Sequence, residues 1–385
     1  MDLHVFNVDT FERLGIIDVY QEQIFKTNYR AHSELEMIVD ATPKNIDWLV
    51  TQSDDVFLTT GVDVQRGYLI ESFDYDDESS ASIKVYCKSL SIMLNWRHIE
   101  RQTNYSGNVE RVMRKFVEDN AISPSNSKRK LANLVFGPIS GVGSNTTISY
   151  NGDQLDEALW DMAVKHDITY DIFADIPNKR FVFKIWQGTD RTTEQTQRDA
   201  VIFAKEFDNV LHQNYQDDKT LFRNTVYVAG AGEGSSRQIV TVNDAVSGRH
   251  RRELYVDARD LQDTEQQTVV TINDDGEETE TTETVQMNPT QYRALLVERG
   301  ESKKAEYERV QAFETGIDYN SQFKYGTDYT NGDKVTIRND EIGIVMHTRV
   351  VTTKETYKSG GYDLEIEFGS NVPTLFNTIK KKVVK

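Results

Sequence analysis

From Gly67 to Tyr75 apolar and polar residues alternate, and beyond the polar turn Asp76-Asp77-Glu78-Ser79 the run Ala81–Cys87 comes back as a partner strand. Short stretches of the same kind precede it. Asp2–Val8 alternates around Leu3 and Val5, Leu14–Val19 is an apolar run opened by Gly15, and Glu34–Val39 and Val56–Leu58 are further strands. Many short strands joined by polar turns point to a small barrel or sandwich. The pattern returns late in the chain, over Tyr319–Phe368, with Asn331-Gly332-Asp333 and Gly360-Gly361 as turns.

The middle reads differently. Val109, Val112, Met113, Phe116 and Val117 recur at helical spacing within Asn108–Asn120, with Glu110, Arg111, Arg114 and Lys115 on the opposite side. A second helix is expected over Asp153–His166, with Leu155, Leu159, Met162 and Ala163 as its stripe and Asp153 as its N-cap. Pro124–Ser149 between them is rich in loop signals. Thr169–Phe173 and Arg180–Trp186 read as paired strands around Asp175-Ile176-Pro177-Asn178. Residues 264–288 are rich in Thr, Glu, Asp and Gln around the hairpin signal Asp274-Asp275-Gly276-Glu277, an exposed arm or a loop. Pro289–Phe313 is the longest helical stretch, with Gly300 as its point of weakness, and the tail Lys380-Lys381-Lys382 is basic.

Tests for chemistry return little. Gly230-Ala231-Gly232-Glu233-Gly234 follows a strand as a dinucleotide loop would, but a strand (Gln238–Val242) follows it instead of a helix, and Glu233 would put a negative charge in the cradle. A strand-to-strand turn is the better reading. The seven histidines show no metal spacing, and neither HExxH nor CxxC occurs. Gly141-Val142-Gly143-Ser144 does not form the esterase elbow. Cys87, the sole cysteine, sits in an apolar run and reads as a buried thiol. Asp76, Asp77 and Glu78 lie in a turn, and Asp156, Glu157 and Asp161 read as a solvated helix face. Trp48, Trp96, Trp160 and Trp186 lie in or beside apolar patterns and read as core. No catalytic, cofactor or metal set emerges.

The formal net charge is −18, which argues against stable binding of nucleic acid. Two readings of the acidity stand: a wall that repels a polyanion passing along it, or solubility alone. Arg249-His250-Arg251-Arg252 is the densest basic spot in mid-chain, a candidate contact with an acidic neighbouring subunit or an ordinary solvated turn. No signal peptide and no stretch of membrane-helix length is seen.

Several segments taken together resemble a known family. They are Phe11-Glu12-Arg13-Leu14-Gly15-Ile16-Ile17-Asp18, Ser33–Met37, Arg66-Gly67-Tyr68-Leu69-Ile70-Glu71, Val85–Leu94 ending in Trp96-Arg97, and the helix Val109–Asn120. Tyr325-Gly326-Thr327-Asp328-Tyr329 with Gly332-Asp333-Lys334-Val335 matches a "YGxDY…GDxV" stretch, and Gly360-Gly361-Tyr362 with Glu367-Phe368-Gly369 a closing strand. The order and spacing resemble the Reqi-type siphovirus tail protein family, similar to the N-terminal hub part of tail-associated lysins and to the central hub of contractile tails.

The resemblance implies a mainly β fold with α+β insertions, in which two small barrel-like hub domains and helix-containing domains form a ring. On that footing residues 1–100 are the first hub domain and 101–205 a helix-containing α+β domain. Residues 206–315 are a strand-rich insertion with the acidic hairpin 264–288 and the helix 289–313, 316–375 the second hub strands, and 376–385 a basic tail. The implied role is a structural, non-enzymatic homotrimeric hub at the virion tail tip, made in the host cytoplasm. It would join the tail tube to the tip and surround the DNA passage without binding DNA or entering a membrane. Implied neighbours are the distal tail protein, the tail tube and tape-measure proteins, and receptor-binding or fibre proteins. Arg249, Arg251 and Arg252 are the candidate subunit-interface residues, and no cofactor is implied. The alternatives are a tail-associated cell-wall hydrolase and a carbohydrate- or receptor-binding baseplate module.

Overall fold

A computed structural model of the chain describes residues 1–369 apart from 31, 78–80, 235–236, 273–277 and 319–320, and only the backbone of the rest of 265–284. The basic tail, the Glu78-Ser79 part of the first turn and the tip Asp274–Glu277 of the expected hairpin lie outside the described residues.

The first unit contains β1 (Leu3–Asn7), β2 (Arg13–Ile17), β3 (Glu22–Asn28), β4 (Glu34–Asp40), the short α1 (Pro43–Ile46), β5 (Val56–Thr59), β6 (Val64–Asp76) and β7 (Ser82–Ser89). They pair antiparallel in the order β2–β1–β5–β6–β7–β4–β3. Burial alternates along β4 and β7, so Leu35, Met37 and Val39 meet Ile83, Val85 and Cys87 on one face. Trp48, in a π-turn that continues α1, completes this core. It lies so close to Gly15 that a Cβ there would sit 2.1 Å from the indole. The end strands β2 and β3 do not pair with each other, so the barrel-like unit is open.

Next come β8 (Thr103–Asn108), α2 (Val109–Val117), β9 (Leu134–Phe136), β10 (Asn145–Tyr150), α3 (Leu155–Lys165), β11 (Thr169–Asp175) and β12 (Arg180–Trp186). The apolar stripe of α2 packs with Leu155, Leu159 and Met162 of α3 and with Phe181 and Phe183 of β12. Asn108 caps α2 by accepting from the Glu110 amide. The expected cap of α3 is corrected: Gln154 occupies that position, and the Asp153 carboxylate instead accepts from the Asn151 amide in the preceding turn. The polar side of α2 is also less solvated than its pattern suggests. Glu110 is fully buried, ion-pairs with Arg114, and accepts from the amides of Ser140, Gly141 and Val142, which fixes the loop before β10.

The chain then enters a second unit through β13 (Ile202–Phe203) and β14 (Asn214–Asp218), and leaves it for an insertion. The insertion comprises β15 (Thr225–Ala229), β16 (Ile239–Val242), β17 (Glu253–Asp257), the paired β18 (Thr264–Ile272) and β19 (Glu278–Gln286), and α4 (Pro289–Glu306). Helix α4 ends at Glu306 rather than near Phe313, and Gly300 does not break it. A Cβ at Gly300 would lie 2.6 and 2.8 Å from methyls of Val242 and Val228, so glycine is what lets the helix lie against β15 and β16.

The last strands are β20 (Val310–Gly316), β21 (Lys334–Asn339), β22 (Ile344–Lys358) and β23 (Gly361–Gly369). The second unit runs β13–β21–β22–β23–β20–β14 around Phe203, Phe313, Val335, Ile337, Val350 and Phe368. It too is open. The far half of β22, Thr352–Lys358, pairs antiparallel with β3, so one sheet runs through both units. The mainly β architecture with α+β insertions is therefore the fold of this chain, built on large antiparallel sheets without a closed barrel among the described residues.

Candidate functional site

Three of these parts meet at one carboxylate. Asp167 follows α3 and has a left-handed backbone, φ 54°, which Asp tolerates better than most residues. Its side chain pairs with Arg30 at the end of β3, with Arg349 of β22 and, at 3.0 Å, with Lys334 of β21. Burial alone would raise this carboxyl, but Arg349 and Arg30 hold it below the ordinary range. The ring of Tyr29 lies between the same two guanidinium groups, 5.1 Å from Arg30 and 4.6 Å from Arg349. Trp160 of α3 donates to the Arg30 carbonyl at 2.9 Å.

Close backbone approach completes the joint. A Cβ on Gly188 would lie 1.8 Å from the Gly332 carbonyl oxygen, and one on Gly332 would lie 2.5 Å from the Tyr29 ring. Asp333 beside it receives Arg191 at 3.0 Å and the amides of Thr189 and Thr330. A second tie, Arg66 to Asp171 at 2.8 Å, fixes β6 to β11. The charged groups of the joint are paired with one another. What such an arrangement does is hold the two sheet units at a set angle.

The face of the sheet that runs through both units is the other candidate. A shallow groove of about 300 Å³ crosses β4, β3, β22, β23 and β20, lined by Lys26, Glu34, Glu36, Glu314, Lys354, Glu365 and Glu367 among others. Lys354 pairs with Glu365 at 2.9 Å and Lys26 stands 3.9 Å from Glu34. Five carboxylates against two ammonium groups leave the groove acidic.

The residues singled out in the sequence fall elsewhere. Arg249 is exposed on a turn before β17 and Arg252 is exposed at its edge. Arg251 is held within the insertion by Asp244 at 2.9 Å, Glu253 at 2.6 Å and the Tyr227 hydroxyl at 2.7 Å. The glycine loop joins β15 to antiparallel β16, as a strand-to-strand turn. Cys87 is buried, which pushes its thiol pKa up. Trp48 is core, but Trp96 is 50% exposed, contrary to expectation. The solvated reading of Asp156 and Asp161 is also corrected. Asp156 accepts from Asn95 at 2.9 Å and stands 3.4 Å from His32, while Asp161 is covered by α4 and faces Lys303 at 3.7 Å.

Ser144 brings its hydroxyl 2.9 Å from Nδ1 of His166. The other ring nitrogen is buried without a hydrogen-bond partner among the described residues, so no carboxylate orients the ring as a triad requires. Among the described residues no cluster of His, Cys, Asp or Glu is arranged to hold a metal, and no helix is long and apolar enough to cross a membrane.

This fold is that of phage tail proteins. Over its full length the chain superposes on the prophage tail protein gp18 of Listeria monocytogenes EGD-e, covering 99% of that chain with a TM-score of 0.55 at 11% identity. It covers 98% of the 43 kDa tail protein of prophage MuSo2 from Shewanella oneidensis, across 96% of its own length, with a TM-score of 0.53 at 9% identity. Residues 2–370 match the Siphovirus ReqiPepy6 Gp37-like protein family, and the chain belongs to that family of tail proteins. No curated protein sequence matches it.

Proposed function

We propose that this chain is the structural hub of a tail tip, a closed homotrimer that joins the tail tube to the tip and surrounds the DNA passage. The observation that carries this reading is the pair of open sheet units fused through β3 and β22 into one sheet. Two similar units in each of three copies would give six quasi-equivalent positions, which suits a sixfold tube above a threefold tip. Open edges such as β2 and β14 need covering, and a neighbouring copy covers them in a ring. The acidic groove face would line the passage, where carboxylates repel duplex phosphates and let DNA slide. Arg249 and Arg252 are the exposed cations that would meet an acidic neighbour; Arg251 already has internal partners.

In this reading the chain is not an enzyme. Its partners are the distal tail protein, tube and tape-measure proteins, and receptor-binding or fibre proteins. Light scattering across a concentration series, with electron microscopy down the symmetry axis, tests it. A trimeric mass and a ring with a central opening are expected. A strict monomer that is also absent from purified particles would refute the proposal. Clearing of Gram-positive cell walls, abolished by a single Asp or Glu substitution, would refute the non-enzymatic part.

A further inference from the structure

The insertion 220–307 is a body of its own. Val226, Val228, Val240, Tyr292 and Leu296 form a core separate from the core of α2 and α3. Its two ends lie side by side: β14 and β20 pair as far as Asp218 and Val310, and the Arg223 amide donates to the Tyr307 carbonyl at 2.9 Å. Two short adjacent tethers are the geometry of a hinge.

The seam that holds the insertion against β10 and α3 is polar. Glu298 of α4 accepts from Thr146 at 3.0 Å and pairs with Lys165, Arg299 donates to the Ser149 carbonyl at 3.3 Å, and Lys303 faces Asp161. Three buried atoms here have no hydrogen-bond partner among the described residues: Ser149 Oγ, Ser302 Oγ and His166 Nε2. Ser302 lies four residues from both Glu298 and Glu306, on the same face of α4. A buried polar atom without a partner costs about 1–3 kcal/mol, and water would satisfy it once the seam opens. The two apolar cores are separate clusters, so opening leaves each intact.

We propose that residues 220–307 form a hinged unit that swings off α3 and β10 as a rigid body, pivoting on the strands β14 and β20 and carrying the β18–β19 hairpin with it. The proposal concerns the single chain and does not depend on the ring.

Charge at the seam supports it. Burial raises Asp161 to about 7, against the opposing pull of Lys303, with Glu306, Arg299, Asp153, Tyr150 and Tyr170 also facing it. A carboxyl raised in the docked state favours docking below its free value near 3.8, and that preference is lost as pH rises towards 7. His166 is lowered by burial and by Lys165, and so acts in the opposite sense.

The test is thiol labelling. Cys87 is buried in the first unit and reports global unfolding, and Ser302→Cys reports the seam. Ser302→Cys is expected to react at least about ten-fold faster than Cys87 in native buffer, its opening less sensitive to low denaturant than Cys87 labelling, since it exposes the seam and not the cores. In a His166→Gln background, the rate relative to an exposed Val19→Cys control should rise on the order of ten-fold from pH 6 to 8, and Asp161→Asn should abolish the rise. Equal labelling of Ser302→Cys and Cys87, or a pH response that survives Asp161→Asn, overturns the proposal. If Ser302→Cys fails to fold, small-angle scattering of the unsubstituted chain decides: a larger radius of gyration at pH 8 than at pH 6 supports it, and identical profiles overturn it.

Discussion

Asp161 and Asp167 stand six residues apart on and just after α3, and each lies at a boundary between units. Their surroundings differ. Asp167 meets three cations from two sheet units, and its carboxyl is held below the ordinary range. Asp161 faces Lys303 and Arg299 under a helix with Glu306 beside them, and burial raises it to about 7. Charged groups at a boundary therefore do not by themselves define a joint. The balance of partners against lost hydration decides whether it is fixed or can part.

The largest expected effect tests the fixed joint. Asp167→Ala leaves Arg30 and Arg349 largely buried without their shared anion. It should cost about 3 kcal/mol in denaturant unfolding, the low end for breaking a buried pair because Asp167 is itself 37% exposed. A loss near zero would show that Tyr29 and the backbone contacts suffice. The milder Asp167→Asn gives the pH signature. A depressed carboxyl stabilises above its free value near 3.8, and the benefit is lost as pH falls through the folded value. The variant should flatten that acid limb of the stability curve.

Asp161→Asn should show the reverse sense. Relative to the native chain it should gain about 2 kcal/mol between pH 5 and pH 8, as the native carboxyl gives up its proton under α4. Equal destabilisation at both pH values would place Asp161 with Asp167 as a fixed tie. Glu298→Gln comes next. It removes the pairing with Lys165 but keeps an acceptor for Thr146, so global stability should fall by about 0.5–1 kcal/mol while labelling at the seam accelerates. The smallest effect is expected from replacing Thr268–Thr284 with a short Gly-Ser linker. Strands β18 and β19 pair with no other strand among the described residues, so stability should change by less than about 0.5 kcal/mol. A large loss would make the hairpin part of the fold.

Local order was legible in the sequence. The pair β6–β7, the pair β11–β12 and helix α2 each carry their period within one short stretch. Strand β3 shows no clear apolar alternation in the sequence, because its buried face includes Gln23 and Thr27 as well as Phe25. The Asp167 junction left no spacing to find, since Arg30, Lys334 and Arg349 come from opposite ends of the chain. Asp161 looked solvated for the same reason: the helix that covers it is encoded far downstream. Gly300 signalled weakness by propensity, yet packing against Val228 and Val242 makes it a requirement. Tertiary contacts decided these positions, and no local window contains them.

The pairing of β3 with β22 has a consequence for synthesis. Asn28 and Thr352 are 324 residues apart. At roughly 5–20 residues per second, β3 leaves the ribosome tens of seconds before the strand that will cover its outer edge. During that interval the first unit presents an open row of amides and carbonyls on which a second nascent chain could grow a sheet. Glu22, Lys26 and Asn28 line that edge with charge and polarity, and Lys354 and Lys358 arrive opposite Lys26 and Glu22 when β22 docks. Crowding of nascent chains on one message should therefore aggregate this protein more readily than refolding of the finished chain at the same concentration.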